Sequence, residues 1–289
     1  MKLALGGAQF GLAYGVSNQR GQVSREVARE IIGLARQAGV DTIDTAIAYG
    51  DSEACLGEVG IGNFRVVTKL PPMPDDILDI TAWARDQIKG SLDRLGVASV
   101  YGLLLHRADQ LLGKQGQELA TALQNAKQDG LVAKVGVSIY DPEQLAAVMT
   151  VCRPDIVQAP LNLLDRRLEA SGWLQRLHDS GVEVHTRSAF LQGLLLMNKA
   201  AMPPRFDRWR AIWDAWHAWL DAHDVSATRA CIQYPLSLHQ VDRVVVGVSS
   251  TAEFQMLLSD AAVVAVPTDL PSLACTDPDL INPSNWNQP

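Results

Sequence analysis

The sequence predicts a single (β/α)8 barrel spanning residues 1–289, and three observations carry that expectation. Eight short apolar runs alternate with segments of helical period along the chain. A length of 289 residues suits eight such units closed into one barrel. The first run ends Gly6-Gly7-Ala8-Gln9-Phe10-Gly11, which lacks the G-x-G-x-x-G spacing that an open nucleotide-binding sheet places after its first strand.

The strands are expected at 3–8, 41–45, 64–70, 99–106, 131–138, 155–159, 182–188 and 242–248. Alternation of strand and helix implies a parallel sheet covered on its outer face by helices. Ser24 stands where it can cap a helix with Val27, Ile31, Ala35 and Ala38 on its buried face, stopped by Gly39. Thr81 stands likewise before Ala84, Ile88, Leu92 and Leu95, with Gly96 at the stop. Asp141-Pro142 opens a third helix, with proline at its first position. Trp209, Trp213, Trp216 and Trp219 recur at helical spacing and read as packing surface. Residues 71–77 and 270–289 read as a loop and a tail lying on the barrel.

Composition narrows the class of function. Hydrophobic residues make up 47% and charged residues 20%, an ordinary balance for a globular enzyme. A net charge of −7, spread along the chain, argues against nucleic acid and anionic membranes as partners. Cys55, Cys152, Cys231 and Cys275 form no CxxC pair, which suits a reducing compartment. The N-terminus has no signal-peptide apolar region and no run is long enough to span a bilayer, so a cytoplasmic location is expected. No metal is expected: the first strand ends without an H-x-H pair, and no HExxH occurs.

The chemistry of such a barrel lies at the C-terminal ends of its strands. Asp44 stands at the end of the second strand, and Tyr49 follows five residues later in the loop. The third strand ends in Lys69 and the fourth in His106, after a wholly apolar run. A strand-end Asp is ordinarily a helix cap, a Lys a solvated rim charge and a His a satisfied core residue. Structural needs give no reason for all four to occupy neighbouring strand ends. A phenol titrates near about 10; a nearby ammonium lowers that value, and a buried carboxylate keeps the ammonium charged. Tyr49, Lys69 and Asp44 therefore read as an acid/base relay. His106, as a neutral imidazole, is placed to hold a substrate carbonyl oxygen beside the phenol. A proton donor without a nucleophile or a metal suits a reaction in which a cofactor supplies hydride.

These segments, Asp-Thr-Ile-Asp44-Thr-Ala-Ile-Ala-Tyr49-Gly, Val-Thr-Lys69 and Leu-Leu-His106, resemble the aldo-keto reductases, and the resemblance covers nearly the whole chain. It implies a barrel that binds extended NADP(H), or less often NAD(H), and interconverts carbonyls and alcohols with Asp44, Tyr49, Lys69 and His106. Ser138 and Gln158, helped by Asn162, would grip the nicotinamide carboxamide. Gly7 and Ala8, then Ser188, Phe190 and Gly193 after the seventh strand, would line the cofactor's path. Gly247, Ser249 and Ser250 would meet a phosphate at the start of the last helix. Phe10, Tyr14 and Arg107 are the expected substrate contacts. Gln9-Phe10-Gly11-Leu-Ala-Tyr14-Gly15 and Arg187-Ser-Ala-Phe-Leu-Gln-Gly193 resemble a bacterial branch linked to sugar and surface-polysaccharide metabolism.

Four positions depart from the family pattern. Ile139 replaces an asparagine, Arg187 an aromatic that stacks on the nicotinamide, Glu253 an arginine and Leu257 an asparagine near the adenine. The last two weaken the expectation of NADP(H), unless Arg243 or Arg229 supplies the missing charge. Two other readings use part of the pattern: a Schiff-base aldolase with Lys69 as nucleophile, and a catalytically weak cofactor-binding regulatory barrel.

Overall fold

In a computed structural model of the chain, which describes residues 1–262 and 272–286, eight parallel strands close into a barrel in sequence order. They are β1 (Leu3–Gly6), β2 (Thr42–Asp44), β3 (Arg65–Leu70), β4 (Val100–Leu105), β5 (Val132–Ser138), β6 (Ile156–Pro160), β7 (Glu183–Arg187) and β8 (Arg243–Gly247). Closure is made by β1 against β8, with Leu3 to Gly6 opposite Val244 to Gly247. Each expected strand is present, and each lies within one or two residues of its expected span.

Side chains along a strand alternate between two faces, and here the two faces do different things. Val66, Leu103, Leu105, Val135, Val137 and Val157 belong to the large core that includes the helices. Val67, Leu104 and Ile156 instead form a small separate cluster with Tyr101, filling the barrel. Glycines leave room for it: a Cβ on Gly102 would lie 2.9 Å from Ile156 Cδ1, and one on Gly136 would lie 2.1 Å from the Ile156 carbonyl oxygen. Two residues beyond Val67, Leu104, Gly136 and Ile156 come Lys69, His106, Ser138 and Gln158. Strand parity therefore brings those four to the same end of the barrel interior.

The outer layer comprises α1 (Arg25–Gln37), α2 (Ser52–Val59), α3 (Ile80–Leu95), α4 (Gly116–Gln128), α5 (Gln144–Val151), α6 (Trp173–Asp179), α7 (Arg210–His223), α8 (Ala227–Ser237) and α9 (Thr251–Ala262). Ser24 caps α1 through the Val27 amide, as expected. The buried stripe is Ala28, Ile31, Ile32 and Ala35; Val27 and Ala38 are only half-buried, because rotation of the stripe by one residue buries the bulkier Ile32. The cap of α3 is Asp79 rather than Thr81: its Oδ1 accepts from the Ala82 amide at 2.9 Å. Aspartate is the stronger cap, and the earlier start buries Ile80. α5 starts at Gln144, after a turn in which Asp141 Oδ1 accepts from the Glu143 amide at 3.0 Å, so Pro142 precedes the helix.

Trp213, Trp216 and Trp219 of α7 are buried, and Trp216 Nε1 donates to the Leu195 carbonyl at 3.0 Å, pinning the segment that follows β7. Leu273, Leu280, Ile281 and Trp286 of the expected tail are buried; residues 270, 271 and 287–289 of that tail lie outside the described residues. Among the described residues no helix is long and apolar enough to cross a membrane.

Two glycine substitutions should move stability in opposite directions. Gly136→Ala forces a methyl onto the Ile156 carbonyl and should cost about 1–3 kcal/mol or more by overpacking. Gly33→Ala, inside α1 with open space around the added methyl, should stabilise by about 0.4–1 kcal/mol. Urea unfolding midpoints measure both; an unchanged midpoint for Gly136→Ala would contradict the filled interior.

Candidate active site

The C-terminal rim gathers the four expected reactive side chains. Lys69 Nζ donates to Asp44 Oδ2 at 2.7 Å and to the Thr45 carbonyl at 2.8 Å, with both side chains buried. The other carboxylate oxygen, Asp44 Oδ1, accepts from Gln158 Nε2 at 2.6 Å. Tyr49 lies in the turn between β2 and α2, its ring centroid 5.1 Å from Lys69 Nζ and 5.6 Å from the His106 ring, which it meets edge-on. That turn packs on bare backbone: a Cβ on Gly11 would fall 1.8 Å from the Tyr49 carbonyl oxygen.

Burial sets the protonation states. Removal from water pulls the Lys69 ammonium below its ordinary range, against the attraction of Asp44. His106 is pulled from 6.5 down to about 4, first by burial and then by the charge of Lys69, so its imidazole is neutral as expected. Tyr49 goes the other way from expectation. Its phenol is pushed well up, first by burial and then by the Asp44 carboxylate, with Arg187 opposing. The lowering expected from Lys69 is not what the fold gives, because burial and the Asp44 carboxylate dominate at the phenol. Tyr49 is a protonated phenol at neutral pH.

A cleft of about 540 Å³ opens over Asp44, Tyr49 and His106 and runs across the strand ends to the start of α9. Its walls include Gly7, Ala8, Tyr14, Ser138, Arg187, Ser188, Phe190, Gly193, Gly247, Ser249, Ser250 and Glu253. The segment after β7 is strained where it borders the cleft: Ser188, Leu191 and Gln192 have φ of 62°, 49° and 53°. The Gln192 carbonyl accepts from the Val16 amide at 3.0 Å, and Gln192 Nε2 donates to Tyr14 Oη at 3.1 Å. The loops after β1 and β7 are thereby tied together across the cleft.

At the start of α9, Glu253 Oε2 accepts from the Ser249 amide at 2.7 Å and from Ser249 Oγ at 2.8 Å, while Ser250 Oγ accepts from the Glu253 amide at 3.2 Å. Thr251 Oγ1 donates to Glu30 Oε2 at 2.8 Å, which brings a second carboxylate to this helix start.

Several expected residues lie elsewhere. Phe10 is fully buried in the core and cannot touch a substrate; its aromatic ring is worth more packed there than at the rim. Arg107 is outside the cleft wall, exposed and paired with Asp109 at 2.7 Å. Asn162 is spent on structure: its Oδ1 accepts from the Leu164 and Asp165 amides and its Nδ2 donates to the Ser188 carbonyl. Gln158 is buried beside the cleft-lining Ser138, with its amide nitrogen on Asp44 and its buried Oε1 without a hydrogen-bond partner among the described residues. Leu257 is buried in the core. Arg243 binds Asp41 and Thr42 at the opposite end of the strands, and Arg229 does not line the cleft.

The cation of the β1 loop that does line the cleft is Arg20, accompanied by Gln9, Ser17, Asn18 and Gln192. Tyr140, at the other side, carries the Arg187 guanidinium 4.2 Å above its ring. The signal for the first group was available: a polar, glycine-bearing stretch straight after a strand belongs to the active end of a barrel. Among the described residues no cluster of three His, Cys, Asp or Glu side chains is arranged to hold a metal.

Known proteins resemble this chain in sequence and fold. Aflatoxin B1 aldehyde reductase member 2 of Rattus norvegicus is 28% identical over 173 residues, covering 55% of this chain and 46% of that protein. The NADH-specific methylglyoxal reductase of Escherichia coli K12 is 23% identical over 205 residues, covering 61% and 60%. The chain thus spans about half the length of the curated relatives it matches. In fold it is similar to an aldo-keto reductase from Bacillus halodurans in its holo form, with a TM-score of 0.75, 20% identity and coverage of 96% and 94%. The model of the Aldo/keto reductase family matches residues 2–271, and the chain belongs to that family.

Proposed function

We propose that this chain is a nicotinamide-dependent reductase of small aldehydes or ketones, with Tyr49 as proton donor and the whole of 1–289 as one domain. The observation that carries it is the edge-on pair of Tyr49 and His106 in the cleft, 5.6 Å apart and backed by the buried Lys69–Asp44 pair. A carbonyl oxygen fits between a phenol that stays protonated and an imidazole that stays neutral.

The residues present fit the cofactor. Gln158 Oε1 is a buried acceptor lacking a donor, and Ser138, its register neighbour, lines the cleft; a flat amide satisfies both. Gly7, Gly193 and Gly247 line the wall with backbone alone, since any side chain there would collide with Ser52, Ser17 or Gln9. When bound, the reduced nicotinamide supplies a hydride to the carbonyl carbon. Tyr49 Oη gives its proton to the carbonyl oxygen, and His106 holds that oxygen in place. Lys69 and Asp44 position the Tyr49 ring and fix the charge beneath it. The aldolase reading fails on access: Lys69 is fully buried, with two hydrogen bonds to Asp44 and Thr45. A sensor without turnover gives Tyr49 no role. A cytoplasmic location fits the four free cysteines, and the acidic chain fits neither nucleic acid nor an anionic membrane.

Turnover is tested by a panel of aldehydes, ketones and sugars with NADH and NADPH, followed by loss of nicotinamide absorbance. Tyr49→Phe should lower kcat by about 10²–10⁴ while leaving cofactor affinity nearly unchanged; near-normal kcat would remove Tyr49 as donor.

His106 should titrate well below 6.5 by NMR, near about 4. The unfolded chain binds more protons between those values, so His106 makes the fold lose stability as pH falls from 6.5 towards 4. A midpoint above 6.5 would exclude the neutral role.

NADH should bind at least comparably to NADPH. The Glu253 carboxylate already occupies the amide and hydroxyl of Ser249 that a 2′-phosphate would use, and Glu30 adds a second negative charge. Arg20 is the opposing cation of the groove. NADPH binding more than about 100-fold tighter, roughly 2.7 kcal/mol, in a fluorescence titration at low salt would overturn this, and Glu253→Ala should shift preference towards NADPH.

A further inference from the structure

Two positive charges stand at the reacting end of the cleft, and only one is compensated. Lys69 is paired with Asp44 at 2.7 Å. Among the described residues Arg187, the last residue of β7, donates only to neutral acceptors, the Ile139 carbonyl at 3.0 Å and Ser188 Oγ at 3.3 Å. One face of its guanidinium lies 4.2 Å from the Tyr140 ring centroid. Among the described residues it makes no ion pair with a carboxylate, in a chain whose net charge is −7. These three contacts hold the charge in place. Its field reaches Tyr14, Tyr49, Lys69 and His106, lowering the proton affinity of each.

Arg187 also adjoins the place argued above for the carboxamide. It holds the carbonyl of Ile139, the residue after Ser138, and it stands at the cleft wall with Tyr49 and His106. A ring with its amide on Ser138 and Gln158, and its reacting carbon facing a carbonyl at Tyr49, therefore passes the guanidinium. The oxidised nicotinamide carries a positive charge, and the reduced ring carries none. We propose that Arg187 determines which redox state of the cofactor this protein holds, its fixed charge repelling the oxidised ring and leaving the reduced ring unpenalised. The inference rests on the reductase reading and deepens it: the site loads with reduced cofactor and releases the oxidised form, which eases turnover in the reductive direction and leaves the overall equilibrium unchanged.

The experiment is a calorimetric titration of the full chain with NADH, NAD⁺ and ADP-ribose, which lacks the nicotinamide. Wild type should bind NADH at least about tenfold tighter than NAD⁺, given like charges facing each other in a half-buried site. In Arg187→Met and Arg187→Gln the ratio should fall to about threefold or less, chiefly through tighter NAD⁺ binding, since the repulsion alone is removed. Arg187→Lys, which keeps the charge, should keep most of the ratio. ADP-ribose affinity should stay constant throughout, whereas a damaged fold would weaken all three ligands. Equal affinity of wild type for NADH and NAD⁺, or an unchanged ratio in both neutral variants, overturns the role of Arg187 and leaves the reductase reading standing. Binding of none of the three ligands overturns both.

Discussion

A lysine with no contact to solvent keeps its charge only where a carboxylate and further acceptors replace the water it has lost. Lys69 meets that condition through Asp44 and the Thr45 carbonyl. The pair in turn dictates its surroundings. Asp44 has a second oxygen to satisfy, and Gln158 reaches it from β6, on the far side of the barrel from β2. Gln158 then has an oxygen left over. One buried ion pair thus ties three strand ends together and leaves a buried acceptor beside the cleft-lining Ser138. Removing either member strands the other charge, which in buried pairs costs about 3–5 kcal/mol.

The barrel makes this arrangement affordable. Inward positions below the pair hold Val67, Leu104 and Ile156, so the polar layer rests on a dry one. The low dielectric that depresses His106 also raises Tyr49, and the two shifts suit one role each. The neutral imidazole offers a hydrogen bond without a competing charge, and the phenol keeps a proton to give. Burial is the largest influence on both states.

Over the rest of the cleft, control passes to loops held by remote packing. The strained turn after β7 is anchored by Val16 on one side and, through Leu195, by the Trp216 indole on the other. The tryptophan helix therefore braces the cleft wall without lining the cleft. The charges of the groove are similarly placed by backbone: Glu253 by the Ser249 amide, Arg187 by the Ile139 carbonyl. Each of these side chains is held by a neutral group and leaves its charge to act on whatever binds.

The sequence by itself made the barrel and the meeting of Asp44, Tyr49, Lys69 and His106 legible. Local periodicity gives eight strand–helix units, their number suits a closed barrel, and the four residues fall at or just after strand ends. A period of two assigns Asp44, Lys69 and His106 to one face of their strands, and the barrel sends that face inward. Helix ends were legible to within a residue or two: Ser24 and Gly96 act as expected, whereas Asp79 displaced Thr81 because one more apolar residue could be buried. Tertiary structure decided what depends on distance between loops far apart in the chain. Phe10 went to the core rather than the pocket, Asn162 to its own turn, and Arg20 into the groove in place of Arg243 or Arg229. It also reversed the expected direction at Tyr49. Sequence spacing places an ammonium and its carboxylate near the phenol, but only the fold buries all three, and burial together with the Asp44 carboxylate raises the phenol.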